Sequence, residues 1–170
     1  MENELRIDEL PTLRRPVLIA AFRGWNDGGQ AATLAAGTLA RVWDARRFAE
    51  IDPEGFVDFQ STRPTVTFDE GLTRQIEWPE ITFHAAAIPG ADRDAVILLG
   101  VEPNFRWRAF DDLVVGLARD LGVELVIEAT GAFKTTETVR PHLDRGAAAV
   151  VVACPVKSGG VLNVVMGCND

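Results

Sequence analysis

Two cysteines, Cys154 and Cys168, and two histidines, His84 and His142, are the side chains of this 170-residue sequence with the reactivity for nucleophilic or general-base chemistry. A thiolate nucleophile needs a base positioned beside it, and no spacing here supplies that pair. His84 lies in the first half of the chain, and His142 falls in a helical stretch where a structural role is expected. The cysteines make no disulfide or metal pattern and read as reduced thiols of a cytoplasmic protein. The sequence therefore predicts no catalytic residue and no metal centre. What chemistry remains is carried by backbone and arginine. Gly24-Trp25-Asn26-Asp27-Gly28-Gly29 has the form of a turn between a strand and a helix. At that place in an α/β sheet, free N–H groups and the positive end of a helix can hold an anion or other ligand. The same residues also suit a structural turn in which Asp27 caps the helix. No Gly-Lys-Ser/Thr follows, so the turn is not a phosphate loop, and its glycines lack dinucleotide spacing. Arg106 and Arg108 flank Trp107, a composition found at binding hot spots. Trp107 also falls on an apolar helical stripe, which would bury it and leave the arginines to pair with Glu102, Asp111 or Asp112.

The elements that must position these groups alternate between strand and helix. VLIAAF after Pro16 is a short apolar run of the kind a strand buried on both faces requires. The helix after the glycine turn runs from about Gly29 to Asp44, with Ala31, Leu34, Ala35, Leu39, Val42 and Trp43 as its apolar set. Thr65 to Phe68 and Thr73 to Trp78 alternate, with Val66, Phe68, Ile76 and Trp78 apolar, and Asp69-Glu70-Gly71 between them predicts a hairpin loop. Ile81 to Ile88 adds a strand. AVILLGV after Asp94 is a buried strand, and Asn104 is placed to cap the next helix, whose stripe is Trp107, Phe110, Val114, Leu117 and Leu121. Glu124 to Ala129 is a strand. A shorter helix containing Pro141 either starts near that proline or is kinked there. It ends at Gly146, a left-handed cap, and AAAVVVA follows as a strand. Only Pro155 to Gly160 separates it from VLNVVMG, too short for a helical crossover, so that last strand is expected to return antiparallel.

The predicted class is α/β: three layers, a mostly parallel sheet with helices on both faces, and a β-rich insertion in the first half. At 47% apolar residues the chain can bury one ordinary core. Its net charge of −8 disfavours nucleic acid and anionic membrane surfaces as partners. The charged N-terminus does not read as a secretory signal, and no apolar run reaches the ~18 residues that span a bilayer. A cytoplasmic protein is expected.

Five motifs in order carry a family resemblance over the first 120 residues or so. They are Phe22-Arg23-Gly24-Trp25-Asn26-Asp27-Gly28-Gly29, Asp58-Phe59-Gln60 with Arg63-Pro64, Ile76-Glu77-Trp78-Pro79, Gly90-Ala91-Asp92-Arg93-Asp94, and Glu102-Pro103-Asn104-Phe105-Arg106-Trp107-Arg108. Together they resemble the actinobacterial branch of the PAC2 family, named for a proteasome assembly chaperone. The resemblance implies an α/β fold related to nucleoside phosphorylases, self-association, protein partners and no established catalytic activity.

From about residue 122 a second resemblance takes over. Glu128-Ala129-Thr130-Gly131-Ala132-Phe133, His142-Leu143 with Gly146-Ala147, Ala153-Cys154-Pro155 with Lys157, and Val165-Met166-Gly167 with Asn169-Asp170 resemble the NAD-binding domain of glyceraldehyde-3-phosphate dehydrogenase. That resemblance places Thr130, Gly131 and Pro155 near the nicotinamide side of NAD, as vestigial cofactor contacts. The enzyme's glycine fingerprint is not found here, and its Ser-Cys-Thr-Thr-Asn nucleophile run is not reached. The expectation is therefore a PAC2-like region over 1–121 and a truncated dehydrogenase-like segment over 122–170 continuing the same sheet. No cofactor is expected unless the alternative, an NAD-dependent dehydrogenase fragment, holds.

Overall fold

The computed structural model describes residues 4–25, 27–69, 73–128, 135–144 and 146–152. Its centre is the pair β2 (Val17–Arg23) and β7 (Asp94–Val101), the two apolar runs that lack polar alternation. They pair in parallel, Val17 against Ala95 through to Arg23 against Val101. A strand with apolar residues on both faces is stable only when both faces are covered. Alternate residues of these strands do enter two separate cores. Val17, Ile19, Ala21, Ala95 and Ile97 pack with α1 (Ala31–Val42). Leu18, Ala20, Val96 and Leu98 pack with α2 (Trp107–Asp120) through Phe110 and Leu117.

Around this pair, seven strands form one sheet in the order β1-β3-β6-β7-β2-β8-β9. The others are β1 (Leu5–Ile7), β3 (Arg46–Ile51), β6 (Thr82–Ala87), β8 (Leu125–Glu128) and β9 (Ala149–Val152). Successive antiparallel pairings make β1 and β6 run against the other five, so the sheet is mostly parallel. β4 (Thr65–Asp69) and β5 (Thr73–Glu77) form the antiparallel hairpin as a separate two-stranded sheet, the β-rich insertion. The connection from β2 through α1 leads to β3 on one side, and that from β7 through α2 leads to β8 on the other. Right-handed crossovers in opposite directions put their helices on opposite faces, giving three layers.

Four expectations need correction. β1 and β3 were not foreseen, since β3 opens on Arg46 and Arg47 and only Phe48, Ala49 and Ile51 are buried. The α1 stripe is displaced by one position: Ala32, Ala36, Leu39, Ala40 and Trp43 face the sheet, while Leu34 and Val42 are exposed. Small side chains let the helix axis lie close to the β2–β7 surface. Asn104 does not cap α2; its Oδ1 accepts from the Asp58 N–H at 2.8 Å, and Arg106 occupies the cap position with φ of 52°. Trp107 is half exposed rather than buried.

Gly122 takes φ of 69° and closes α2, its N–H donating to the Arg119 carbonyl at 2.9 Å. That left-handed turn favours glycine. β8 then pairs with β2, Val17 against Leu125, and β9 with β8. Between them α3 (Thr136–Asp144) begins five residues before Pro141, and Gly146 follows it with φ of 109°. Thr135 and Thr138 exchange side-chain-to-backbone bonds at the entry to α3. The expected antiparallel last strand lies outside the described residues. Among the described residues no helix is long and apolar enough to cross a membrane.

Candidate functional site

Because the crossovers from β2 and β7 diverge, their carboxyl ends form a switch point, the kind of crevice in which α/β sheets commonly hold ligands. The two turns lining it are the Gly24–Gly29 segment and the Glu102–Arg106 segment. They touch at Gly24, where a Cβ would meet the Glu102 side chain at 2.5 Å from Oε2 and 2.8 Å from Cβ. The Glu102 N–H also donates to the Arg23 carbonyl at 2.9 Å. Glycine is needed at position 24 for this approach.

Asp27 decides what the first turn can do. It is buried, its Oδ1 accepts from the Ala32 N–H at 2.9 Å, and its Oδ2 accepts from the Thr33 hydroxyl. The carboxylate therefore occupies the positive end of α1 that a phosphate would need. Gly29, with φ of 65°, and Gln30, with φ of 58°, form the left-handed entry that swings the chain into the helix. These hydrogen bonds of Asp27 are those of a helix cap. Trp25 sits at the turn's crest, 97% exposed. Asn26 lies outside the described residues.

The second turn is tied down by its neighbours. The Asn104 and Phe105 N–H groups donate to the Phe56 carbonyl at 2.8 and 3.1 Å. Asp58 accepts from the Gln60 N–H at 2.9 Å and the Ser61 hydroxyl at 2.8 Å, which holds its carboxyl below the ordinary carboxylate range. Arg106 pairs with Glu4, and its guanidinium lies 5.1 Å from the Phe56 ring centre. Its charge is taken up within the chain by Glu4. Arg108 is exposed and lines an apolar cavity of about 540 Å³ beside α2 and α3, whose walls include Phe22, Phe110, Val114 and Val126. Trp107 and His142 also line it. So the structure separates Arg106, a clasp, from Arg108, a solvent-facing group.

The five sequence motifs are explained by these contacts. Gly24 meets Glu102, Asp58 meets Asn104, and Phe59 stacks edge-on against Trp78 at 5.4 Å, joining the first, second, third and fifth motifs around one edge. The fourth motif works at the opposite end of the strands. Asp94 accepts from the Arg14 backbone N–H at 2.7 Å and from its guanidinium at 2.7 and 3.3 Å. Arg14's hydrogen bonds hold the Asp94 carboxyl below its usual range. Asp92 pairs with Arg15 at 2.7 Å, and Arg93 with Glu124 at 3.5 Å. Sequence reasoning missed Glu4, Phe56 and Arg14, whose roles arise from contacts across many residues.

His84 lies on β6, away from this edge, 3.0 Å from the Thr82 hydroxyl, and burial lowers its pKa against a weaker upward pull from Glu80. Thr130, Gly131, Pro155, Cys154 and Cys168 lie outside the described residues. Among the described residues no cluster of three or more His, Cys, Asp or Glu could hold a metal ion.

Residues 21–156 match the PAC2 family. Among solved structures, the chain is similar to a proteasome-assembly chaperone homologue from Mycobacterium tuberculosis, at 42% identity and a TM-score of 0.61, over 66% of this chain and 48% of that one. A PAC2 family protein from Streptomyces avermitilis is 41% identical with a TM-score of 0.58, over 67% and 48% of the two chains. A glyceraldehyde-3-phosphate dehydrogenase from Nostoc is 51% identical over 51 residues, 30% of this chain and 15% of the enzyme. The chain thus spans about half the length of those solved relatives and a much smaller share of the dehydrogenase.

Proposed function

The chain belongs to the PAC2 family, and from that premise we propose that it acts by binding proteins, in an assembly-chaperone-like role in the cytoplasm, and not by catalysis. The carrying observation is the character of the crevice edge. Asp27 is engaged with α1 and Arg106 with Glu4, while Trp25 and Phe105 stand exposed on the turns and Trp107 at the start of α2. Rigid aromatic side chains on anchored turns suit protein recognition, where a few such residues supply most of the affinity. The similarity to a proteasome-assembly chaperone homologue supports the same reading.

The test is quantitative affinity capture with the wild-type chain and Trp25→Glu side by side. A hot-spot loss of at least ~2 kcal/mol corresponds to about thirtyfold in affinity. One or a few stoichiometric partners retained by the wild type and lost from the variant would support the proposal. Identical partner profiles, or no stoichiometric partner, would refute it.

A second reading rests on the dehydrogenase similarity. In it, residues 122–170 are a dehydrogenase-derived segment joined near Gly122 to a PAC2-like region, with Thr130, Gly131 and Pro155 as remnant NAD contacts. Calorimetry with NAD decides it: binding tighter than ~1 mM, about −4 kcal/mol, favours a working cofactor site. The Asp27 cap leads us to expect none. The source DNA read through the codons for Asp120 to Glu128 would establish the join.

A further inference from the structure

α2 presents more apolar surface than the sheet covers. Phe110 and Leu117 are buried in the core. Trp107, Val114, Val115 and Ala118, a neighbouring stripe at helical spacing, line the apolar cavity beside α2 and α3. Alternate residues of β2, Leu18, Ala20 and Phe22, line it too, with Val126 of β8 and Pro141 of α3. At about 540 Å³ it falls within the ~300–1,000 Å³ of small-molecule sites, and walls of this kind favour an apolar guest over water.

The charges at its rim decide which guest. Glu102, Asp111 and Glu124 line the cavity together with Arg108 and Arg119. Glu124 is paired with Arg15 at 3.6 Å and Arg93 at 3.5 Å, and Glu102 and Asp111 each already interact within the chain. Arg108 and Arg119 are exposed, and among the described residues neither has an ion-pair partner. On α2 they lie about 16 Å apart along the axis and within ~20° of each other around it. The charge left open beside the apolar lining is therefore positive.

We propose that this cavity binds a lipophilic carboxylate of medium-chain fatty-acid size. Its chain lies along Val114, Ala118 and Val126, and its head group is held by the α2 guanidiniums. A carboxylate matches the guanidinium fork with paired hydrogen bonds. A neutral chain leaves both arginines without an anion, and an amine meets them as a like charge. Binding here goes beyond the protein-binding reading and needs no partner protein, so this site and the Trp25 edge fail separately.

The experiment is isothermal titration calorimetry of the full chain with decanoate, octanoate and decylamine, each below its micelle-forming concentration. Far-UV circular dichroism checks each variant. Decanoate should saturate a single site with a dissociation constant below ~1 mM. Each buried methylene adds about fourfold in affinity, so octanoate should bind roughly fifteenfold more weakly. Decylamine should bind at least tenfold more weakly than decanoate. Arg108→Glu with Arg119→Glu should weaken decanoate at least tenfold. Arg41→Glu with Arg46→Glu, the same charge change on α1 and β3, should leave it unchanged. Val114→Trp, which fills the cavity, should abolish binding, and the exposed arginine pair is the deciding variant if it fails to fold. No saturable decanoate binding overturns the proposal. So does octanoate or decylamine binding as tightly as decanoate, a double reversal at the rim without effect, or an equal loss from the control pair.

Discussion

Replacing Gly24 with alanine should destabilise the fold through a single contact across the crevice. The added Cβ would lie 2.8 Å from the Glu102 Cβ and 2.5 Å from its Oε2. Ordinary carbon–carbon contacts sit at about 3.5–4.0 Å, so the two strand ends must part by close to an ångström or the Glu102 backbone must rotate. The carboxylate tip is the far end of a flexible side chain, whereas the Glu102 Cβ cannot move without β7, because the Glu102 N–H is bonded to the Arg23 carbonyl. Overpacking of this kind costs about 1–3 kcal/mol. Gly24 is not among the positive-φ glycines, so alanine also recovers ~0.4–1 kcal/mol by restricting the unfolded chain. The net expectation is a loss of about 1–2 kcal/mol. Urea unfolding followed by circular dichroism should show a midpoint lowered by roughly 0.5–1 M for an m-value near 2 kcal/mol/M. The mechanism has its own check in a double-mutant cycle. Glu102→Gly removes the opposing Cβ, so Gly24→Ala in that background should cost at least 1 kcal/mol less than it does alone. A stabilised Gly24→Ala, or strictly additive effects, would refute the close-approach argument.

Other expectations follow from the same contacts. Asp27→Ala should cost ~1–2 kcal/mol, measured by thermal or urea unfolding, because the Ala32 N–H and Thr33 hydroxyl lose their acceptor. Asp94 has a folded pKa below its unfolded value of about 4, so the stability from its Arg14 pairing is present above that pH and lost as pH falls through the folded value. Acid titration of unfolding should therefore be shallower for Asp94→Asn below pH ~4; equal slopes would count against the pairing. Burial lowers the folded pKa of His84 below the unfolded value near 6.5, against a weaker upward pull from Glu80. Its contribution is present above that pH and declines as pH falls, so His84→Gln should flatten the stability profile between about pH 5 and 7.

The parts of the fold readable from sequence were those where one local pattern suffices. VLIAAF and AVILLGV announce strands covered on both sides, and the α2 stripe is fixed by large residues, with Phe110 and Leu117 buried as its period demands. In α1 the period was visible but its phase was not. A helix rich in alanine carries little preference for which small residue faces inward, and the flat β2–β7 surface chose Ala32, Ala36 and Ala40 over Leu34 and Val42. β3 was hidden because its opening arginines pair outward, Arg47 with Glu50 and Glu80, while burial begins only at Phe48.

For the candidate site the division is sharper. The chain alone determined the Gly24–Gly29 turn, the absence of a phosphate-loop or dinucleotide pattern in it, and the set of motifs that mark the family, because each is a matter of residue type at fixed spacing. Tertiary structure alone decided that Asp27 caps α1, that Arg106 is clasped by Glu4 while Arg108 stays exposed, and that Val66 and Ile76 of the hairpin face solvent. The physical reason is separation along the chain. Glu4 and Arg106 lie 102 residues apart, and only the ordering of strands in the sheet brings such partners within reach.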